Sequence, residues 1–556
     1  MASPDGVQMA SNSEIHVAPT PRPWYKTPSP FWLFPMALLS TLVMSATLAP
    51  CTELYIKLAC NEIRPGYLLL PPLLNPQLLS DPHVPARPTI NIPGPNKMCN
   101  ADPHVQAAVA KLQATMTTTR GILACLTTGA WAQLSDRVGR TRVLALTAIG
   151  LLVTDVVLII VALYADTLPG GYRFLIVGSI VDGALGGLTT SRATSTAYMS
   201  DSIDPTARSR IFSLYTGTFF AGMAIGPALG AVLTQYTQDL LTVFYISTAL
   251  HFLYAFTCFF ILPEPLDEKH RAAAAERYRA SKDPNSTWLT AIKHAIWAFA
   301  QPLTVFIPRR RLRGKGRDWS LACIGIADAL AMLTTGAYTF YRQYVIAIFG
   351  WETTELAAWI SLVGISRAAY LLCILPILLK LLHAVYRARR HVHIDIFIAK
   401  FSLYADLLSF IVKGTTTNPK IFVVATCWSS LGGGFGPFAQ SIAMTLCRDQ
   451  ADATKPTHPQ TYSSAPSTDT NDPKDNKAMP LETGRLFGAF SVLQTLTSEI
   501  LGPPLYGVVF ATTIASAPRA MFWLSGACIA CGLVALWFVR PREDAREQVD
   551  EESRLL

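Results

Sequence analysis

Eight ionisable side chains lie near the middle of long apolar stretches: Arg120, Asp155, Asp182, Arg192, Asp328, Arg367, Asp406 and Glu499. A charge at such depth in hydrocarbon is costly, so each is either a functional group or part of a buried pair that fixes helix register. Arginine stays charged, whereas a desolvated carboxylate takes up a proton near neutral pH. Five acids stand against three arginines, so at least one carboxylate is expected to titrate. The chemistry this suggests is proton movement, with protons as partners of a small-molecule substrate. The stretch Gly432-Gly-Gly-Phe-Gly436 lies in an apolar span and lacks the lysine of a phosphate loop, so helix packing is its expected role. No Walker sequence occurs, and a proton gradient rather than ATP is the expected driver. His383, His391 and His393 sit among arginines at a helix end, where headgroup contact is expected rather than metal ligation. Neither a cofactor, a metal site nor a catalytic residue is expected, and the protein is not read as an enzyme.

These residues need membrane-spanning helices to hold them. Mean hydropathy is +0.32, with 51% hydrophobic and 15% charged residues, which marks a polytopic membrane protein rather than a soluble one. The net charge of +9 does not imply a nucleic-acid partner, because the basic residues fall in alternate loops. Twelve of them lie between Pro263 and Asp318. At about 20 residues per span, the chain accommodates twelve transmembrane helices. The expected class is all-α, in two six-helix pseudo-symmetric halves over 31–262 and 319–540. Residues 1–30 read as a disordered cytoplasmic tail, 263–318 as a cytoplasmic central loop, 449–483 as a disordered insertion and 541–556 as a second cytoplasmic tail. Helices are expected over about Arg173–Met199 (helix 4), Trp319–Arg342 (helix 7), Asp395–Val412 (helix 9) and Ile421–Cys447 (helix 10). Within the central loop, Asn285–Phe306 reads as an amphipathic helix on the membrane surface. An internal repeat supports the two halves. Gly226-Pro227-Ala-Leu-Gly230 recurs as Gly502-Pro503-Pro504-Leu-Tyr-Gly507, and Leu185-Gly-Gly as Leu431-Gly-Gly.

Of the eleven cysteines, Cys60 and Cys99 fall in the proline-rich first external loop, where a disulfide and two free thiols are both compatible with an oxidising side. Gly222, Gly226 and Gly230, with Pro227, place small residues four apart on helix 5, a spacing that lets helices approach closely. Between helices 2 and 3 lies the polar stretch Gly129–Arg142, GAWAQLSDRVGRTR. Gly139 permits a tight turn, Asp136 can accept from the free N–H groups of a helix start, and Arg137, Arg140 and Arg142 hold the turn at the cytoplasmic face.

This stretch resembles the loop 2–3 signature of the major facilitator superfamily, matched at Leu134, Ser135, Asp136, Arg137, Gly139 and Arg140. The leading glycine of that pattern is Ala132 here. The resemblance implies a secondary transporter working by alternating access, with helices 1, 4, 7 and 10 around the cavity. Asp182, Arg192 and Asp328 are then the cavity candidates, with Arg367 and Glu499 reaching in from the sides. Asp328 and Arg367 lie at matching depths, so an ion pair between them is expected. For Asp155 and Asp406, on outer helices, a structural role is favoured. The resemblance also implies a latch of Asp136, Arg140 and Asp201 holding the halves together on the inside. The helix 5 glycines are similar to the motif of drug/proton antiporters, which implies export of xenobiotics as an alternative to uptake. Tyr198-Met-Ser-Asp201 and Arg208-Ser-Arg-Ile-Phe212 are similar to the proton-coupled folate transporter group, which favours uptake. A non-transporting receptor of the same fold is the third reading. The expected protein is a monomer in the lipid of a plasma or vacuolar/lysosomal membrane, both termini cytoplasmic, without nucleic acid.

Overall fold

The structure, a computed structural model, describes residues 27–65, 97–203, 208–281, 293, 296–297, 300–310, 317–385, 391–454, 486 and 488–539. Most of the terminal tails, the centre of the external loop, most of the amphipathic segment and most of the insertion lie outside these residues. The described chain is helical apart from short connections and one antiparallel pairing of Arg309–Arg310 with Arg317–Asp318. Nine helical segments among the described residues are long and apolar enough to cross a membrane. Pro103–Val138 and His391–Thr415 are also helical but are not among those nine.

The first half opens with α1 (Leu33–Ala46) and α2 (Leu48–Ile63), then a short α3 (Lys97–Ala101). Next come α4 (Pro103–Val138) and α5 (Arg140–Tyr164), separated only by Gly139. The expected helix 4 is two pieces, α6 (Leu175–Ala184) and α7 (Gly187–Asp201). α8 (Arg208–Thr237) and α9 (Leu241–Phe256) complete this half. The central segment holds α10 (Glu268–Ser281), a charged helix the sequence reading did not anticipate.

The second half comprises α11 (Ser320–Thr335), α12 (Tyr338–Phe349), α13 (Thr353–Ala369), α14 (Leu375–Val385), α15 (His391–Thr415), α16 (Pro419–Trp428), α17 (Phe435–Thr454), α18 (Gly502–Thr513) and α19 (Ala520–Trp537). The helix expected over Ile421–Cys447 is interrupted by a 3-10 stretch, Ser429–Gly434. It also runs on to Thr454, so the insertion begins later than the expected residue 449. Nothing between Arg448 and Thr454 is Gly or Pro, so nothing there stops a helix.

The sequence repeat has a structural counterpart. In one half Gly222, Gly226 and Gly230 lie against α1, where an added Cβ would meet Thr41, Ser45 and Ala46. Ser45 Oγ donates across that contact to the Gly222 carbonyl at 2.9 Å. In the other half Gly502 packs on the α11–α12 junction, the Leu333 carbonyl and Gly336. Each Gly-Pro motif thus brings two backbones together at a corresponding place. The two Leu-Gly-Gly motifs mark the two helix interruptions.

At one end of the bundle Cys60 and Cys99 are joined by a disulfide, tying α2 to α3. Asp102 caps α4 there, accepting from His104 N at 2.8 Å and from Arg64 Nε at 3.1 Å. Burial pushes the Asp102 carboxyl up, but these donors outweigh it and hold it below the usual carboxylate value. Toward this disulfide end the halves are packed: α8 on α13, α4 on α18 and α2 on α12 and α13. Gln235 Nε2 donates to Thr354 Oγ1 at 3.2 Å, and Arg342 Nε to Thr52 Oγ1 at 3.3 Å, both between halves. Toward the opposite, turn end, α7 packs on α4, α5 and α8 of its own half, and α17 on α11 and α15 of the other. Arg192, Thr196 and Asp201 along α7 are exposed there, and so is Met444 on α17. The main packing between the described parts of the two halves therefore lies toward the disulfide end, and these residues of α7 and α17 are accessible toward the turn.

Candidate functional site

Two helix interruptions organise the charged residues. Gly186, with φ of +90°, ends α6 in a left-handed turn that favours glycine. The carbonyls freed by that break are satisfied from α4: Thr127 Oγ1 donates to Gly183 O at 3.1 Å and Trp131 Nε1 to Ala184 O at 2.9 Å. Asp182 sits just before the break, 2% exposed, against Gly150 of α5. Its Oδ1 is buried without a hydrogen-bond partner. Arg120 and Glu499 both act on Asp182 electrostatically. Glu499 lies in a π-helical turn, Leu496–Leu501, whose backbone approaches Gly121 of α4. Arg192, beyond the break on α7, lies over the Phe219 ring at 5.2 Å. Among the described residues no carboxylate comes within ion-pair distance of it. Asp182, Arg120, Glu499 and Arg192 thus form one electrostatic group where the halves adjoin.

The second interruption has its own group. Asp406 on α15 lies against Gly432 and accepts from Ser429 Oγ at 2.9 Å. Arg367 on α13 lies against Gly433, and its Nη1 donates to the Tyr338 hydroxyl at 3.5 Å. Two consecutive glycines therefore make room for a carboxylate and a guanidinium, a packing role as expected, but one that admits charge. Asp328 on α11 is fully buried, and its hydrogen-bond partner is the Gln494 amide, at 3.3 Å to Oδ2. The expected Asp328–Arg367 ion pair is not formed; each has a neutral partner. Matching depth along two helices does not give matching azimuth around them. Asp155 accepts from His251 and Ser247, a buried polar cluster that neither spacing nor motif had indicated.

At the turn end the structure brings the expected latch together. Arg140 pairs with Asp136 at 2.5 Å and with Asp201 at 3.0 Å, and its Nη1 donates to Ser135 Oγ at 3.2 Å. These residues belong to α4, α5 and α7, so the latch ties three helices of one half rather than the two halves. The helix-start donors go elsewhere than expected. Glu264, not Asp136, accepts from Arg140 N at 3.0 Å, Thr141 N at 3.1 Å and Thr141 Oγ1 at 3.0 Å. Gly139, with φ of +122°, leaves the space that the Glu264 carboxylate fills. Arg137 stacks on Tyr278 of α10, its Cζ 3.7 Å from the ring centre, which holds the central segment against α4. Glu264 was legible only as part of a Pro-Glu-Pro helix stop, and Tyr278 carried no signal, since both act across more than a hundred residues.

Glu264→Ala is expected to cost about 2–4 kcal/mol, because several donors at a helix start lose a charged acceptor together. Glu264→Gln should cost less, retaining one acceptor oxygen. Thermal unfolding in detergent checks this; equal loss in both variants would contradict the cap.

Comparisons with known proteins bear on this arrangement. A family model described as Major Facilitator Superfamily matches residues 92–460. The chain is 22% identical over 526 residues to the MFS-type transporter avaJ of Aspergillus versicolor, covering 93% of this chain and 89% of the relative. It is 21% identical over 471 residues to the uncharacterized membrane protein C14C4.07 of Schizosaccharomyces pombe, covering 78% and 71%. Among solved structures, the human organic anion transporter MFSD10 (TETRAN) superimposes with a TM-score of 0.52 at 16% identity, covering 93% of this chain and 100% of that one. A D-xylose-proton symporter does so with 0.53 at 12% identity, covering 92% and 98%.

Proposed function

This chain belongs to the Major Facilitator Superfamily, and from that premise we propose that it couples proton movement to passage of a small organic solute carrying a negative group. The observation that carries the reading is that an arginine beside each helix interruption, Arg192 in one half and Arg367 in the other, has no carboxylate at ion-pair distance among the described residues, a property that Arg120 on α4 and Arg342 on α12 share. An unpaired guanidinium inside a membrane protein is stabilised by an anion that it can grip with two parallel hydrogen bonds. Buried Asp182 and Asp328 supply the protons: each is an acid held in a span with few donors around it. The arrangement packed at the disulfide end and accessible at the turn end is one extreme of alternating access, with the turn end facing the cytoplasm and twelve helices spanning the bilayer. In the opposite extreme the turn end closes, and the Asp136–Arg140–Asp201 cluster holds α4, α5 and α7 together as one body during that motion, without touching solute.

Export of xenobiotics was suggested by the helix 5 glycines. Those glycines pack α8 on α1, a role that serves either direction of transport, so they do not favour export here.

In proteoliposomes, Arg192→Ala and Arg367→Ala should each raise the KM for an organic anion at least tenfold, which corresponds to losing one charge-assisted hydrogen bond. Uptake of small carboxylates against uncharged analogues of equal size makes the comparison. Unchanged preference in both variants would remove the anion reading.

A further inference from the structure

Toward the disulfide end, the packing between the halves encloses glutamines that the transport reading does not use. Gln106 and Gln113 lie on α4, and Gln343 lies on α12 of the other half. Gln106 and Gln343 are 0% exposed, so no water-sized space touches either, and Gln113 is buried as well. Gln106 Nε2 donates to the Asn100 carbonyl at 2.9 Å, but its Oε1 is buried without a hydrogen-bond partner among the described residues. The same holds for Gln113 Oε1 and for both amide atoms of Gln343. A buried amide without partners carries its full desolvation cost, because nothing replaces the water it gave up.

Neighbouring contacts fix where these side chains lie. Gly507 of α18 sits where Ala110, Ala114 and Phe340 converge. A Cβ added there would be 2.8 Å from Ala114 Cβ, 3.2 Å from Phe340 Cζ and 3.5 Å from the Ala110 carbonyl oxygen. Gln106 and Gln113 stand one turn before and one turn after Ala110, on the same face of α4. On α12, Gln343 lies one turn beyond both Phe340 and Thr339. Phe340 marks the direction of α18. Thr339 marks that of α2, since its Oγ1 accepts from Arg342 Nη2 at 3.4 Å and Arg342 Nε reaches Thr52 Oγ1 at 3.3 Å. α4 packs on α2, α18 and α12. The side of α12 between those two directions is therefore turned to α4, and it carries Gln343. The three glutamines lie on facing sides of one contact between the halves.

We propose that these amides form a polar seam that opposes closure of the disulfide end. The seam rests on the alternating-access reading and deepens it, by naming what keeps that end from staying shut. Closure buries amide atoms without partners; opening parts α4 from α12 and lets water from the disulfide side reach them. Contacts beside the seam act the other way. Gly364 of α13 lies against Ala224 and the Met223 carbonyl of α8, and Gln235 donates to Thr354. Close packing thus favours the closed form and the seam limits its depth, so the two forms stay within reach of each other.

The test uses full-length protein in lipid nanodiscs without solute. Spin labels are attached through ketone-bearing residues in place of exposed Thr167 and Lys420, one in each half at the disulfide end, which spares the native cysteines. Pulsed electron–electron double resonance then gives the shares of short and long separations, hence of closed and open forms. Gln343→Met keeps the volume and removes both unpartnered atoms, so it should raise the closed-to-open ratio about tenfold. Gln113→Met should shift the ratio the same way by less. Gln343→Glu, which brings a carboxylate into the closed contact, should shift it toward the open form. Because the two changes at Gln343 have opposite signs, one of them is readable whichever form dominates the wild type. If a Gln343 variant fails to fold, Gln113→Met and Gln113→Glu read the same ratio. Two separations in an unchanged ratio, or a methionine variant that favours the open form, overturn the seam and leave alternating access intact. A single separation, the same in every protein, also overturns the seam, and uptake of small carboxylates in proteoliposomes then decides the alternating-access reading separately.

Discussion

Gly226→Val is expected to remove most of the correctly folded protein. At Gly226 an added Cβ would overlap Ser45 Oγ and the Leu42 carbonyl of α1, and backbone cannot move aside as a flexible side chain can. Overpacking of this kind costs about 1–3 kcal/mol in ordinary cores. Here separating α8 from α1 also breaks the Ser45–Gly222 hydrogen bond, 2.9 Å long, within the membrane, where water does not replace it. A total of about 4 kcal/mol exceeds most single substitutions. Gly222→Ala should show the same sign with a smaller effect, because alanine adds one methyl group and its backbone approach, to Leu42 N, is 2.9 Å rather than the closer approach to the Leu42 carbonyl at Gly226. Size-exclusion profiles and thermal melts of the detergent-extracted variants measure both. A Gly226→Val variant that extracts and melts like wild type would show that α1 and α8 are not in close contact.

The second large effect is expected at Asp328. It is fully buried, its described hydrogen-bond partner is the Gln494 amide, and no cation stands within ion-pair distance of it among the described residues. Asparagine keeps the shape and one acceptor for Gln494 but cannot carry a proton. Asp328→Asn should therefore lower uphill, gradient-driven accumulation about a hundredfold, the scale of losing one acid–base group. Solute exchange across the membrane with no gradient should persist, since that requires only that the two halves move. Loss of both would make Asp328 a structural residue. Retention of both would place the proton elsewhere, with Asp182 the next acid to change.

Much of this organisation is legible in the amino-acid order. The polar turn around Asp136–Arg142, the apolar spans on each side and the repeated Gly-Pro motifs are local patterns, and local patterns survive without knowledge of the fold. Arg140, Asp136 and Asp201 could be grouped because a family pattern joins them. What escaped was everything set by azimuth or by long-range approach. Asp328 and Arg367 lie at similar depths but turn toward Gln494 and Tyr338. A lone histidine in Leu241–Phe256 has no periodic signature, so the Asp155–His251 pair is visible only when α5 and α9 are placed together. Glu264 was seen as helix punctuation, although its carboxylate caps α5 from the far end of the same half. The interruptions of helices 4 and 10 were written as Leu-Gly-Gly, yet glycine pairs in apolar spans equally mark close packing, and here they serve both ends.

The central claim is that this chain moves protons and solute together. It is tested most directly by purified wild-type protein in proteoliposomes loaded with a pH-sensitive dye, to which small organic acids, folates and drug-like cations are added in turn with no preset gradient. A solute-dependent change in internal pH that collapses with a protonophore is the predicted result, strongest with the anionic solutes, and its sign separates symport from antiport. Solute binding by the same protein with no pH change for any of them would contradict coupled transport and leave a receptor of the same fold.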